Sequence, residues 1–168
     1  RTEPRPLRGW RDSQSILVTG AGGSAGHNVC WSLRVSPDGK RLDLTGTDSD
    51  RTSLELNKWI DNAYRIASAE DPQYISVLNK IIRRKKVEAV FPQPDYEVGR
   101  ISRESQKLEA RVFLPDPSTV LLCLDKYEAL SKWQTAGLRR EPILLSPRSR
   151  STARKLRSLD YPAWLRAR

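Results

Sequence analysis

The sequence contains no methionine, and its 168 residues include only two cysteines and one histidine. Cys30 and Cys123 do not make a disulfide framework or a zinc site, so a reducing, cytoplasmic setting is expected. No apolar run approaches the roughly 18 residues that a membrane span needs. The opening RTEPRPLRGWRDSQS lacks the apolar segment of a signal peptide, so no membrane partner is expected. An intact translated chain starts with methionine. Its absence here implies either a removed start or a piece of a longer chain. What is present is enough for one domain with a real core, since a chain of this size buries about 70% of its unfolded surface. Hydrophobic residues make up 38%, and the mean hydropathy is −0.62.

Acidic residues are outnumbered by basic ones, 20 to 30, and the net charge of +10 invites a nucleic-acid reading. The excess is confined to the ends. Residues 16–138 carry 17 basic and 16 acidic side chains, whereas residues 139–168 carry nine basic and two acidic. A body that gripped a phosphate backbone would carry the charge itself, so no nucleic acid is expected as partner. The run Arg83-Arg84-Lys85-Lys86 closes a predicted helix, where it complements the negative end of the dipole.

Along the chain, residues 1–14 show no periodicity and read as a flexible leader. Strand and helix signals then alternate. Strands are expected at Ser15–Thr19, Leu42–Thr47, Ala63–Ile66, Val87–Phe91 and Val112–Leu114. Between them, Ser24–Val35 has helical spacing with Ala25, Val29 and Leu33 on one stripe. A short helix is expected over Ser53–Trp59. Asp71-Pro72 should start another as N-cap and first helical residue, with Tyr74, Leu78, Ile81 and Ile82 buried. A polar helix follows over about Glu97–Leu108. Asp116-Pro117 repeats the cap-and-proline device and opens a helical stretch with a break near Asp125. This alternation predicts right-handed βαβ crossovers. The fold class is therefore α/β, a Rossmann-like parallel sheet with helices on both faces. From Gly137 the texture turns basic, with an apolar piece at Ile143–Leu145, an amphipathic helix near Ser151 and a strand-like YPAWLRA. This reads as a partial start of a second α+β domain.

The stretch ILVTGAGGSAG places Gly20, Gly22, Gly23 and Gly26 between the first strand and the first helix. Such glycines permit positive φ and remove the Cβ that would hold a ligand away. The following helix aims its free N–H groups at the same spot. The alternative is that the glycines only make a tight turn and a close helix–sheet contact. The spelling T-G-x-x-G-x-x-G also fits the extended short-chain dehydrogenase/reductase family. Asp48, at the end of the second strand, stands where an acid would hold the ribose hydroxyls of NAD. Against that reading, no tyrosine is followed four residues later by lysine. An NADP sensor that performs no redox step would not need the pair.

Taken in order, ILVTGAGGSAG, LTGTDSD, EDPQYISVLNKII, VEAVFPQPDYEV, VFLPDPSTVLLCLDKYEALSKWQTAGL and LDYPAWLRAR resemble the N-terminal, pre-ATP-grasp domain of ATP-grasp ligases, closest to the carbamoyl-phosphate-synthase-like group. The match runs over about residues 15–168. The resemblance implies a leader at 1–14, a pre-ATP-grasp domain at 15–138 and the truncated start of an ATP-grasp domain at 139–168. It further implies that Lys126 and Arg166 reach ATP. The blander reading of Lys126 is an exposed, acid-paired lysine, and that of Arg166 is a polar-face strand residue. The family's glycine-rich flap and magnesium-binding residues would come after Arg168. The implied parent activates a carboxylate with ATP and Mg²⁺ and transfers it to an amine or similar nucleophile. This chain alone would be catalytically incomplete and would bind neither cofactor tightly. The expected partners are a small-molecule substrate and the remainder of the ATP-grasp domain. The charged linker Arg139-Arg140-Glu141-Pro142 departs from the family pattern.

Asp95 and Glu97 lie just past the fourth strand, near the acceptor-substrate site of the related ligases. They would face a substrate amine or a cation, or Asp95 would simply cap a helix. His27 would touch an anion at the glycine loop or stand as a partly exposed helix residue. Cys30 and Cys123 fall on apolar stripes and are expected in the core. Tyr127, Leu130 and Trp133 are expected to pack at a domain junction.

Overall fold

The structure, a computed structural model, describes residues 14–36, 42–138 and 152–158. The leader, the Ile143–Leu145 piece, the YPAWLRA segment and Arg166 lie outside the described residues. The chain divides into two compact units, Arg1–Val120 and Leu121–Arg168.

The first unit is built on β1 (Gln14–Thr19), β2 (Leu42–Asp48), β3 (Asn62–Arg65), β4 (Ala89–Phe91) and β5 (Arg111–Val112). All pairings are parallel, and the order is β3-β2-β1-β4-β5. The central β1 is buried along its whole length, as a strand covered on both faces must be. Parallel strands require crossovers, and helices supply them: α1 (Ser24–Arg34), α2 (Arg51–Glu55), α3 (Tyr74–Lys85) and α4 (Asp95–Arg103), the last followed by a 3₁₀ turn at Ser105–Lys107. This is a Rossmann-like α/β fold. After β3 the chain returns to the other side of β1, so a crevice opens where β1 and β4 end.

Alternation along β1 divides the core. Ile16 and Val18 pack with Leu42, Leu44, Cys30 and Leu54 on the α1/α2 side. Leu17 and Val90 pack with Tyr74, Leu78 and Ile82 of α3 and Ile101 of α4 on the other. Burying each such leucine contributes about 2 kcal/mol, and this sandwiching fixes where the strand ends stand.

Several local expectations are corrected. In α1 the buried positions are Gly26 and Cys30, while Ala25 is exposed and Val29 and Leu33 are half-buried. Sheet contact selected the residue small enough to approach closely, one position along from the expected stripe. Asp71 does not cap α3. Its carboxylate accepts from the Gln73 N–H at 2.7 Å and shapes a turn, so the helix begins at Tyr74. α3 ends at Lys86, which takes the left-handed conformation at φ 52°. α4 starts at Asp95, earlier than the polar pattern implied. Cys30 is buried as expected, but Cys123 is exposed. Asp116 does cap α5 (Pro117–Leu124), accepting from the Ser118 N–H at 2.8 Å.

In the second unit the break falls at Asp125. Its carboxylate accepts from the N–H groups of Tyr127 and Glu128, each at 3.1 Å, and so starts α6 (Lys126–Thr135). A short helix, α7 (Thr152–Arg157), follows. Trp133 of α6 is half exposed. Among the described residues, no helix is long and apolar enough to cross a membrane.

Candidate functional site

At the carboxyl ends of β1, β2 and β4 the glycine loop of Gly20, Gly22, Gly23 and Gly26 meets Asp48, which bonds Gly22, and Pro94, which seats on Gly20 and leads into Asp95 and Glu97 of α4. Three of the four glycines are sterically required. A Cβ on Gly20, whose φ is +61°, would lie 2.3 Å from Pro94 Cγ. One on Gly26 would lie 2.2 Å from the Gly20 carbonyl oxygen, and one on Gly22 2.9 Å from the Leu54 nitrogen. Gly23 meets nothing closer than 3.4 Å. Packing alone thus accounts for glycine at 20, 22 and 26.

The loop is also pinned by hydrogen bonds. The Asp48 carboxylate accepts from the Gly22 N–H through Oδ2 and from the Asp50 N–H through Oδ1, both at 3.0 Å. The Ala21 N–H donates to the Thr47 carbonyl at 3.0 Å. The buried Asn57 amide donates to the Ala21 carbonyl at 2.8 Å. Asp50 in turn caps α2, and the Ser53 hydroxyl bonded to it holds its carboxyl below the ordinary range. By contrast, α1 begins at Gly23 with no side-chain cap and no acid in its first turn. Its leading N–H groups keep the anion-attracting character of a helix start.

Opposite the glycine loop, Pro94 occupies the N-cap position of α4, so Asp95 is exposed and makes no cap bond. Two residues on, Glu97 is only 2% exposed. Burial pushes its carboxyl pKa up. The hydroxyls of Thr19 and Tyr74 oppose that shift, and the Asp48 charge adds to it. Those hydroxyls stand beside the carboxyl. Yet Thr19 Oγ1, Tyr74 Oη and Glu97 Oε2 close no hydrogen bond of good geometry. Thr45 and Thr47, beside them on the α3/α4 face of β2, are likewise buried without a partner. Tyr74 is itself pushed far up by burial and then by Glu97. The half-exposed Tyr96 is also raised, by burial and then by the charges of Glu97 and Asp48, so its phenol lies within electrostatic reach of both carboxyls. A carboxyl shifted by desolvation in a crevice is a common mark of a functional position. Neutral, it can donate a hydrogen bond; ionised, it can hold a cation or an amine.

His27 is half-buried in the first turn of α1, and its Nε2 accepts from the Trp59 indole N–H at 3.1 Å. Lys126 opens α6 in the second unit, and its Nζ donates to the Cys123 carbonyl at 2.8 Å. Among the described residues, no group of three or more His, Cys, Asp or Glu side chains could hold a metal ion.

Thr45 and Thr47 were not singled out in the sequence, Thr19 and Pro94 entered only as letters of the glycine-loop and post-strand motifs, and Tyr74 was read only as core. The one available signal was LDLTGTD, where Thr45 and Thr47 fall on the strand face opposite Leu42 and Leu44 in a strand covered on both faces.

No family model and no curated protein matches the chain. Solved structures do. The chain is similar to dTDP-glucose 4,6-dehydratase from Bacillus anthracis in complex with NAD, at 15% identity over 74% of this chain and 52% of that one, with a TM-score of 0.40. It is also similar to glycinamide-RNase-transformylase T from Mycobacterium tuberculosis, at 15% identity over 74% and 35%, with a TM-score of 0.46. A third is UDP-glucose-4-epimerase from Stenotrophomonas maltophila with bound NAD, at 17% identity over 75% and 35%, with a TM-score of 0.36. The chain spans about half or less of the length of these proteins. At such values the likeness decides nothing about ligand or reaction.

Proposed function

We propose that this chain is the N-terminal, substrate-side domain of an ATP-dependent carboxylate–amine (or related) ligase of the ATP-grasp kind. On this reading residues 15–138 form the pre-ATP-grasp domain and 139–168 begin the ATP-grasp domain, which the remainder of a longer chain completes. The observation that carries the proposal is the acidic character of the crevice. Asp48, Asp95 and Glu97 gather around the glycine loop, and the Asp48 carboxylate accepts the Gly22 N–H. A dinucleotide site would want that N–H for pyrophosphate and that carboxylate for ribose. The same acids suit a small substrate bearing an amine. Glu97 and Asp95 would orient the amine, and the open start of α1 would face the phosphorylated carboxyl partner. Lys126 and Arg166 would reach ATP, and magnesium would be held by residues outside this chain. Alone, the chain would be inactive and would bind ATP weakly.

An NAD(P)-binding, short-chain dehydrogenase-like protein or NADP sensor is the second reading. What favours it is the uncapped, acid-free start of α1 directly after the glycine loop.

Titration calorimetry with NADP and with ATP–magnesium separates the two. The ligase reading expects no dinucleotide binding. It also expects ATP affinity only in a version extended past Arg168, weakened there by Lys126→Ala. Micromolar NAD(P) binding that is lost in Asp48→Ala would overturn it in favour of the second reading.

A further inference from the structure

Away from the crevice, a second feature lies at the β3 edge of the sheet. β3 pairs with β2 through Thr45↔Asn62 to Asp48↔Arg65. It is the last strand on that side, so among the described residues its outer edge carries no partner strand. Beside it lies an open groove of about 200 Å³, lined by Tyr64, Arg65 and Ile66 of the β3 segment and by Val77, Lys80, Ile81 and Arg84 of α3. Val77, Lys80, Ile81 and Arg84 follow the i, i+3, i+4, i+7 spacing and form one stripe of α3. The groove is therefore lined by apolar and cationic side chains, and none of them is acidic.

The cations are only partly engaged. Arg65 donates to the Ser49 carbonyl at 3.2 Å, and its charge reaches Asp50. The Arg84 guanidinium lies 6.0 Å from the centre of the Tyr64 ring. Among the described residues, neither Lys80 nor Arg84 forms an ion pair.

We infer that this edge binds an acidic extended polypeptide segment, which adds to β3 as a further strand and sets alternate carboxylates against Lys80 and Arg84. Three arguments converge. An unpaired strand edge offers backbone donors and acceptors that another strand completes. Residues i and i+2 of an added strand lie roughly 6.8 Å apart on one face. Lys80 and Arg84, one helical turn apart, present their Cβ atoms about 5–6 Å apart, so two glutamates at alternate positions match two cations. Finally, charge selects the occupant. A second copy meeting the same edge would bring Lys80 and Arg84 against their own counterparts and be repelled, whereas an acidic strand is attracted. The site lies apart from the glycine loop and stands whichever reading of that loop holds.

The test is an NMR titration of the full chain with a synthetic peptide of alternating valine and glutamate, about eight residues long to span the edge. A valine–lysine counterpart, inorganic polyphosphate and duplex DNA serve as comparisons. The acidic peptide is expected to shift the amides of residues 62–66 and to slow hydrogen exchange there. Its affinity should fall roughly tenfold in Lys80→Glu/Arg84→Glu and fall again with salt, and the lysine peptide should not bind. Both side chains are exposed, so the double variant should keep its circular dichroism; if it does not, Arg84→Gln with a several-fold loss serves instead. No binding at about 1 mM, a level corresponding to only ~4 kcal/mol, would overturn the proposal. So would unchanged affinity in the variant. Displacement by polyphosphate or DNA without protection of the β3 amides would replace it with a general anion patch.

Discussion

The two faces of the sheet meet the crevice in different ways. On the α1/α2 side, polar groups near the strand ends are joined to one another: Asp48 to Gly22 and Asp50, Asn57 to Ala21, Trp59 to His27. On the α3/α4 side, Thr19, Thr45, Thr47, Tyr74 and Glu97 are equally buried, yet each leaves an oxygen without a partner. Buried polar atoms normally find partners, and a cluster of exceptions calls for a reason. The first face is explained by its own architecture. The second is arranged as though part of its bonding were reserved for something else, and this is why Glu97 is more informative than the glycines that first draw the eye.

Four substitutions would break or sharpen this contrast. Gly26→Ala strikes the joined face hardest. Its Cβ would fall on the Gly20 carbonyl, 2.2 Å away, and the expected loss is about 3 kcal/mol or more in urea unfolding. Asp48→Ala removes the acceptor for two backbone N–H groups and should cost about 2 kcal/mol by the same measurement. Glu97→Gln should act in the opposite direction. The folded-state pKa of Glu97 is raised. Native stability is therefore full below the ordinary carboxyl value of the unfolded chain and declines as pH rises through the raised one. The glutamine variant, which does not titrate, should match the native chain in acid and exceed it in mild alkali. A pH series of thermal melts checks this, and parallel curves would show that both faces are equally satisfied. Tyr74→Phe removes a hydroxyl that stands beside Glu97 without closing a hydrogen bond of good geometry, and it should change stability by less than about 0.5 kcal/mol. A large loss there would mean the hydroxyl is bonded after all.

Much of the framework was legible in the chain. The strand–helix alternation, the glycine turn, the Asp116-Pro117 start and the break at Asp125 are all local in origin, set by turn chemistry and periodicity. Where local rules competed with packing, packing won. Ala25 yielded its place against the sheet to Gly26, and Asp71 shaped a turn ahead of the helix it was expected to cap. The polar cluster was not legible, because it is assembled from β1, β2, α3 and α4. Threonine in a strand and tyrosine on a helix stripe look the same in sequence whether their hydroxyls are bonded or left open. Likewise, an acid in the first turn of a helix reads as dipole complement whether it faces water, as Asp95 does, or the interior, as Glu97 does.

The seating of Pro94 against Gly20 has a kinetic implication. Pro94, just past β4, is pressed against Gly20, just past β1, so the two sides of the crevice touch at one point beside its mouth. For a molecule that enters there, arrival would be timed by how often that contact comes undone, and its observed rate would level off however much of it is supplied.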